Sequence, residues 1–233
     1  MPDKQVIVIG AGVGGLVTAI QLAARGLQVR VLERAEAPGG KMREVAVGPH
    51  RIDAGPTVFT MRWIFEDIFE AAGARLDAHL ELEPLSIIAR HAWSEQERLD
   101  LHADHERSVE AIGDFAGAAE ARGYRAFCEQ ARTIYTTLDP TFIRASRPSL
   151  MGLMGRCGLS GLGNLRGIRP YDSLWDMLGT YFKDERLRQL FGRYSTYCGS
   201  SPFMAPATLM LIAHVEQEGV WSVRSEERRV GKE

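Results

Sequence analysis

Glycines near the start of the chain stand at a spacing suited to binding the phosphates of a dinucleotide. Gly10, Gly12 and Gly15 form a G-x-G-x-x-G pattern that also includes Gly14, directly after the apolar run Gln5–Ile9. In such patterns the glycines allow a tight turn, a close approach of backbone to a pyrophosphate and close packing of the next helix, whose N-terminus faces the anion. The spacing therefore predicts a dinucleotide-binding loop.

An acidic residue follows at the distance expected for ribose binding. Glu33 lies eighteen positions after Gly15, at the end of a second apolar run, Gln28–Leu32. A carboxylate there accepts hydrogen bonds from the ribose hydroxyls and disfavours a 2′-phosphate, so NADP is the poorest candidate. NAD and FAD both remain open on this pattern alone, and we include the adjacent Arg34 among the candidate cofactor-binding residues.

The elements that position these residues form a β-α-β unit. The first apolar run predicts a strand buried in a parallel sheet, residues 16–24 follow a helical period that ends at Arg25-Gly26, and the second run predicts the next strand. We therefore predict an α/β fold with a Rossmann-type half. A strand over 50–60, broken at Gly55-Pro56, and a helix over 63–73 are expected to follow.

The middle of the chain has the pattern of a mixed α+β region. Two alternating runs between 82 and 101 predict an antiparallel hairpin, and 105–138 is mostly helical in pattern. A stretch rich in Gly, Leu and Met occupies 147–170, and three further helices are expected after it. The aromatic residues at helical spacing favour core packing over a tunnel lining. They include Trp175, Phe182, Tyr194 and Tyr197.

The element Pro38-Gly39-Gly40-Lys41, just after the ribose-binding position, is similar to the Gly-Gly-Arg/Lys element of the amine oxidase and phytoene desaturase superfamily. That resemblance implies FAD rather than NAD and an amine-oxidase-like flavoprotein fold. It places the backbone of Gly39 and Gly40 and the cation of Lys41 near the phosphates of the flavin nucleotide.

The run "DAGPTVFT", 53–60, resembles an element of the bacterial carotenoid desaturases, and its wider context resembles the branch acting on 1-hydroxycarotenoids, the 3,4-desaturases. A later run, 184–221, also resembles this family, so the similarity extends from about Lys4 to Val223. It implies an FAD-dependent enzyme that removes two hydrogens from adjacent carbons of a carotenoid. It also adds Gly55, Pro56 and Thr57 to the candidate cofactor-binding residues.

Family members are about twice as long as this 233-residue chain, so the resemblance implies that a C-terminal half is missing. We predict a cofactor-binding portion over 1–75 and an incomplete substrate-binding or lid portion over 76–223. Back-translation of the last ten residues, 224–233, resembles a sequencing adapter, and we interpret them as non-native. We expect the chain by itself to bind FAD weakly and to be inactive.

Composition excludes several other classes. A net charge of −2 gives no basic footprint for nucleic acid, and the cysteines and histidines show no metal-ligand spacing. The longest apolar stretch, 205–215, is too short to span a bilayer, and three cysteines without a C-x-x-C pair suit a reducing compartment, so we expect a cytoplasmic protein. Because carotenoids reside in lipid, we expect peripheral contact with the inner membrane face through 147–170; the alternative is a connector whose leucines cover the core.

Other functions stay open on the sequence. A phytoene desaturase or carotenoid isomerase would share most of these motifs, and an amine oxidase would share the first of them. A lipid-binding protein resembling the Rab GDP-dissociation inhibitors is disfavoured by the intact glycine loop and Glu33. No residue is assigned as catalytic, because hydride transfer to a flavin needs orientation more than a reactive side chain. The electron acceptor and oligomeric state are not predicted.

Overall fold

A computed structural model describes residues 5–56, 58–144 and 172–224, which pack as two units. The first unit comprises Met1–Pro84 together with Val220–Glu233, and the second comprises Leu85–Gly219. The chain therefore leaves the first unit once and returns to it. The domain boundary after residue 75 stays a prediction.

The first unit begins with the β-α-β arrangement. Strand β1 (Gln5–Ile9) pairs in parallel with β2 (Gln28–Leu32), and helix α1 (Val13–Ala24) makes the crossover that parallel pairing requires. The register runs from Gln5 opposite Gln28 to Ile9 opposite Leu32. Alternate residues of both strands are half-buried, while the residues between them are exposed. The parallel β-α-β arrangement of the Rossmann-type half is confirmed. The expectation of a buried first strand is wrong, because among the described residues β1 pairs with β2 alone and every other residue of it is exposed.

An antiparallel hairpin follows, made of β3 (Glu44–Val47) and β4 (His50–Asp53). The strand expected over 50–60, with its break at Gly55-Pro56, ends two residues early at Asp53, and past the break Phe59 forms an isolated bridge with Trp221. The partner strand begins at Glu44, opposite Asp53, because the preceding chain turns at a hydrogen bond from the Met42 N–H to the Gly39 carbonyl. The first unit continues with helix α2 (Arg62–Ala71), a 3₁₀ turn (Leu76–Ala78) and strand β5 (Leu82–Pro84).

The second unit opens with the expected hairpin, β6 (Ile87–Ala92) and β7 (Arg98–His102). The region predicted to be mostly helical forms α3 (His105–Ala116) and α4 (Ala118–Leu138). Asp104 caps α3 by accepting a hydrogen bond from the Arg107 N–H. Gly117, between the two helices, has a φ of 97°, which a side chain would disfavour, so the chain breaks there.

The remaining elements of the second unit are short. A π-helical turn (Asp139–Ile143) extends α4. After residue 172 come α5 (Leu174–Tyr181), α6 (Glu185–Gly192), two 3₁₀ turns (Arg193–Cys198 and Ala207–Met210) and α7 (Leu211–Glu218). The chain then re-enters the first unit as β8 (Trp221–Val223), which pairs antiparallel with β5.

An aromatic cluster forms the centre of the second unit. The ring of Phe191 lies 4.8 Å from that of Phe127 and 5.0 Å from that of Phe182, measured between centroids. Tyr124 and Tyr194 flank Phe191 at 5.6 and 6.2 Å. All five residues are buried, so the core interpretation of Phe182 and Tyr194 is confirmed. That interpretation is wrong for Tyr197, which is 55% exposed.

A buried ion pair lies in the same unit. Arg193 donates to both carboxylate oxygens of Glu216, at 2.8 and 2.6 Å, and the Tyr194 hydroxyl donates to Oε2 at 3.1 Å. Glu216 is only 4% exposed. Its negative charge is therefore compensated by a bidentate guanidinium and a phenol.

Candidate dinucleotide-binding site

The loop between β1 and α1 leads into a helix N-terminus whose first turn contains no acidic residue. The Gly10 N–H donates to the Leu32 carbonyl at 2.7 Å, which ties the loop to the end of β2. Gly12 occupies the N-cap of α1 without a side-chain hydrogen bond, and the first turn contains no acidic residue. The positive end of the helix dipole therefore meets no negative side chain from its own first turn, which suits an anion.

Close packing of α1 against β1 depends on Gly15. A Cβ atom at this position would overlap the carbonyl oxygen of Gly10 and lie 3.6 Å from Cγ1 of Val8. A Cβ on Gly14, by contrast, would meet nothing within 4 Å. The loop thus combines one glycine fixed by packing with open space at the start of the helix.

Glu33 contacts this loop directly, a contact that the spacing alone did not reveal. Its Oε2 accepts a hydrogen bond from the Ala11 N–H at 2.6 Å, and its Oε1 accepts one from the Ala35 N–H at 2.8 Å. The bonds from Ala35 and Ala11 lower the pKa of the carboxyl, because they stabilise its charged form. An ionised acceptor therefore stands beside the glycine loop, where it suits ribose hydroxyls and disfavours a 2′-phosphate.

The second glycine element lies against the first. The Gly39 N–H donates to the Ala11 carbonyl at 2.8 Å, and Gly39 forms an isolated parallel bridge with Gly12. The structure thus brings Gly10, Gly12, Gly15, Glu33 and Gly39 together.

Of the other predicted residues, Gly40 also lies against this contact, since a Cβ atom built on it would be 3.0 Å from the Gly12 Cα. Arg34, Lys41 and Pro56 are exposed. Gly55 packs against the backbone of residues 41–43, and Thr57 lies outside the described residues. The assignment of all these residues to cofactor binding stays a prediction.

The residues present fit a dinucleotide. The helix N-terminus has space in front of Gly14, two backbone loops meet at Gly12 and Gly39, and an ionised carboxylate contacts the loop at Ala11. These features match the pyrophosphate and ribose of an adenosine diphosphate group. Within the described residues, no group of three or more His, Cys, Asp or Glu side chains could hold a metal ion. No helix in the described ranges is long and apolar enough to cross a membrane.

Comparison with known proteins gives the same fold. Residues 8–71 match the family model described as an NAD(P)-binding Rossmann-like domain. Among solved structures, putrescine oxidase bound to putrescine superposes with a TM-score of 0.54 at 15% identity, covering 95% of this chain and 46% of that one. At this identity the likeness concerns the fold alone.

Sequence relatives extend over nearly the whole chain. Hydroxyneurosporene desaturase of Rubrivivax gelatinosus is 53% identical over 98% of this chain, and that of Cereibacter sphaeroides is 45% identical over 94%. Phytoene dehydrogenase of Streptomyces griseus is 35% identical over 92%. The chain spans 44%, 44% and 42% of the lengths of these three proteins. It belongs to the carotenoid desaturase family, with more similarity to the two hydroxyneurosporene desaturases than to the phytoene dehydrogenase.

Proposed function

We propose that this chain is the nucleotide-binding part of an FAD-dependent desaturase that removes two hydrogens from adjacent carbons of a carotenoid. The observation that supports this most is the 53% identity to a hydroxyneurosporene desaturase over 98% of the chain. Because the chain spans 44% of that relative's length, the activity belongs to the longer protein. We expect the chain alone to be inactive.

FAD is the proposed cofactor, held through its adenosine diphosphate end. The N–H groups at the start of α1 would face the pyrophosphate, and Glu33 would accept hydrogen bonds from the ribose hydroxyls. When bound, FAD supplies the acceptor for the hydride. We assign the residues around the glycine loop the task of holding and orienting the nucleotide, because hydride transfer to a flavin needs orientation more than a reactive side chain.

A binding experiment tests the cofactor. We expect quenching of flavin fluorescence when FAD is added to the chain, and no recovery of that fluorescence when NADP is added as a competitor. Glu33→Gln should weaken FAD binding roughly ten- to hundredfold, because a hydrogen bond to a charged group contributes about 1.5–3 kcal/mol. Glu36→Gln is the matched control, since Glu36 is an exposed acid three residues further along. Equal affinities for both variants would contradict the role of Glu33.

A chimera tests the reaction and its substrate. Residues 5–223 would replace the matching segment of the Rubrivivax gelatinosus enzyme, and extracted carotenoids would be followed by the red shift that each added double bond gives. We expect conversion of hydroxyneurosporene. Conversion of phytoene instead would favour the phytoene desaturases, and a folded chimera that retains FAD but converts neither would exclude both.

We also propose peripheral contact with a membrane at its cytoplasmic face, because the substrate is apolar and resides in lipid. Phe203 and Met204 are adjacent and 62% and 83% exposed, and the Phe203 ring lies 4.9 Å from that of Trp175. An aromatic pair beside an exposed methionine suits insertion at a lipid interface. The stretch 147–170, to which the sequence assigned this contact, lies outside the described residues.

Vesicle flotation tests this contact. Phe203→Ser/Met204→Ser and Leu150→Ser/Leu153→Ser/Leu162→Ser are each expected to reduce the share of protein that floats with vesicles of anionic and neutral phospholipid. Val58→Ser is the control, since Val58 is also an exposed apolar residue, 52% exposed. Flotation unchanged in both multiple variants would disprove the proposal.

A further inference from the structure

Three backbone segments of the first unit contact one another in series. The first is the loop at Gly10–Gly12, the second is the turn at residues 39–43, and the third is the end of β4 at 53–55. The Gly39 N–H donates to the Ala11 carbonyl, and the Ala54 N–H donates to the Arg43 carbonyl, both at 2.8 Å. The middle segment is thus bonded on one side to the predicted phosphate loop and on the other to the hairpin.

Gly55 is the residue at which the third segment meets the second. A Cβ atom there would lie 2.6 Å from the Lys41 carbonyl oxygen, 3.0 Å from the Met42 Cα and 3.3 Å from the Arg43 nitrogen. All three are backbone atoms, so no side-chain rotation would relieve the overlap. Gly55 does not have a positive φ. Its requirement is for space rather than for an unusual backbone conformation.

The middle segment meets the first in a similar way. A Cβ atom on Gly40 would lie 3.0 Å from the Cα of Gly12. The backbone of Gly40 therefore packs directly against the loop that precedes α1. A displacement of residues 41–43 away from β4 would move Gly40 and change its approach to Gly12.

We propose that Gly55 is a positioning residue of the dinucleotide site, which acts by setting how closely the turn at 39–43 approaches Gly12. Because Gly55 has no side chain, the end of β4 packs directly against the backbone of residues 41–43. In this role Gly55 does not contact the nucleotide. The inference rests on the proposed function, which identifies the site as one for a dinucleotide. It assigns the glycine of "DAGP" to the packing of the turn rather than to contact with the nucleotide.

Amide hydrogen exchange of the 233-residue chain, followed by NMR, tests the proposal without a ligand. In Gly55→Ala, the Gly39 and Ala54 amides should exchange about five- to tenfold faster, because each loses a hydrogen bond of about 1–1.4 kcal/mol. Amides within β1 and β2 should change less than twofold. Unchanged exchange at Gly39, or equal loss of protection throughout β1 and β2, would overturn the proposal.

Two further variants make the test specific. Gly48→Ala is the control for strain elsewhere in the hairpin: Gly48 lies at the other end of the same hairpin with a φ of 60°, which an alanine would strain, but a Cβ there meets nothing within 4 Å. It should leave Gly39 exchange unchanged. Gly40→Ala strains a backbone with a φ of 64° and crowds Gly12 alone, so it should accelerate exchange at Gly39 but not at Ala54. Acceleration of Ala54 in Gly40→Ala would contradict the serial arrangement.

FAD titration separates this inference from the proposed function. Gly55→Ala should weaken FAD binding about tenfold, equivalent to about 1.4 kcal/mol, while Gly48→Ala binds like wild type. Wild-type affinity in Gly55→Ala would overturn the positioning role and leave the proposed function intact. If the wild-type chain takes up no FAD, the proposed cofactor fails, and the exchange experiment still decides whether Gly55 sets the spacing of the two loops.

Discussion

The two units bury their apolar residues to very different extents. The second has an aromatic centre at Phe127, Phe182 and Phe191, whereas in the first unit the exposed fraction is 56% for Ile7 and 87% for Ile9. The first unit contains the glycine motifs, and glycines contribute no side chain to a core. The residues most informative about chemistry therefore contribute little to burial. The second unit, which lacks the glycine motifs, buries the larger core.

Truncation of the core should give the largest effect. Phe191→Ala removes a ring that is 1% exposed and contacts four other aromatic rings, so the free energy of unfolding of the second unit should fall by about 3–5 kcal/mol. Ile9→Ala, in the first unit, should cost less than about 0.5 kcal/mol. Denaturant-dependent amide exchange measures both. A comparable cost at Ile9 would show that β1 is covered in solution and would remove the contrast.

Neutralising the buried acid should come next. Glu216→Gln leaves the Arg193 guanidinium, whose side chain is 26% exposed, without its counter-charge, and we expect a loss of about 2–3 kcal/mol from the second unit. Arg193→Met in the same chain should restore part of that loss, which a double-mutant cycle would measure. Additive costs would mean that the ion pair is not coupled and that the aromatic centre alone stabilises this unit.

A smaller effect is expected in the first unit, at the start of α2. Met61 has a φ of 51°, in the left-handed region. That conformation costs a residue with a side chain about 1–2 kcal/mol. Glycine avoids this cost but loses more conformational entropy on folding, which offsets part of the gain. Met61→Gly should therefore stabilise the first unit by about 0.5–1 kcal/mol, measured by amide exchange within α2. Arg62→Gly, one residue into the helix, should destabilise it instead; a loss in both variants would contradict strain at Met61.

The smallest effect concerns pH. Burial, with a contribution from Arg193, lowers the pKa of His91, while Glu216 opposes the shift. Its Nδ1 is buried without a hydrogen-bond partner among the described residues. The pKa of His91 in the folded chain lies below the unfolded value of about 6.5. As pH falls below about 6.5, the unfolded chain therefore takes up a proton first, and the second unit loses free energy of unfolding.

Unfolding of the second unit at pH 7 and pH 5 measures this loss. His91→Phe keeps a ring beside Trp93, whose centroid lies 6.0 Å away, and should reduce the difference between the two pH values. His214 also has a lowered pKa, mainly through burial, so His214→Phe is the companion variant. A pH dependence unchanged by both would place the titrating group elsewhere.

The local elements of both units followed from the sequence. Apolar runs and glycine spacing predicted β1, α1 and β2, and alternation predicted the β6–β7 hairpin, because these signals lie within short windows. The pairing of β5 with β8 had no such signal, since Leu82 and Val223 are far apart in the chain. The end of β4 at Asp53 was also missed, because it depends on where the partner strand begins.

The site was predictable in part. Motif spacing selected Gly10, Gly12, Gly15 and Glu33 correctly as neighbours. It did not reveal that the Glu33 carboxylate binds the Ala11 N–H, because a side-chain rotamer is not encoded in spacing. The packing of Gly55 against Lys41 was likewise hidden, since it depends on two turns meeting in space.

The β5–β8 pairing has a consequence for modularity. Pro84 and Trp221 are opposite each other in the antiparallel register, so the two points at which the second unit joins the first are adjacent. The second unit is topologically an insertion between two neighbouring strand ends, and a short turn would bridge the gap that its removal leaves. The inserted unit could therefore be exchanged, by evolution or by engineering, while β1, α1 and β2 stay unchanged.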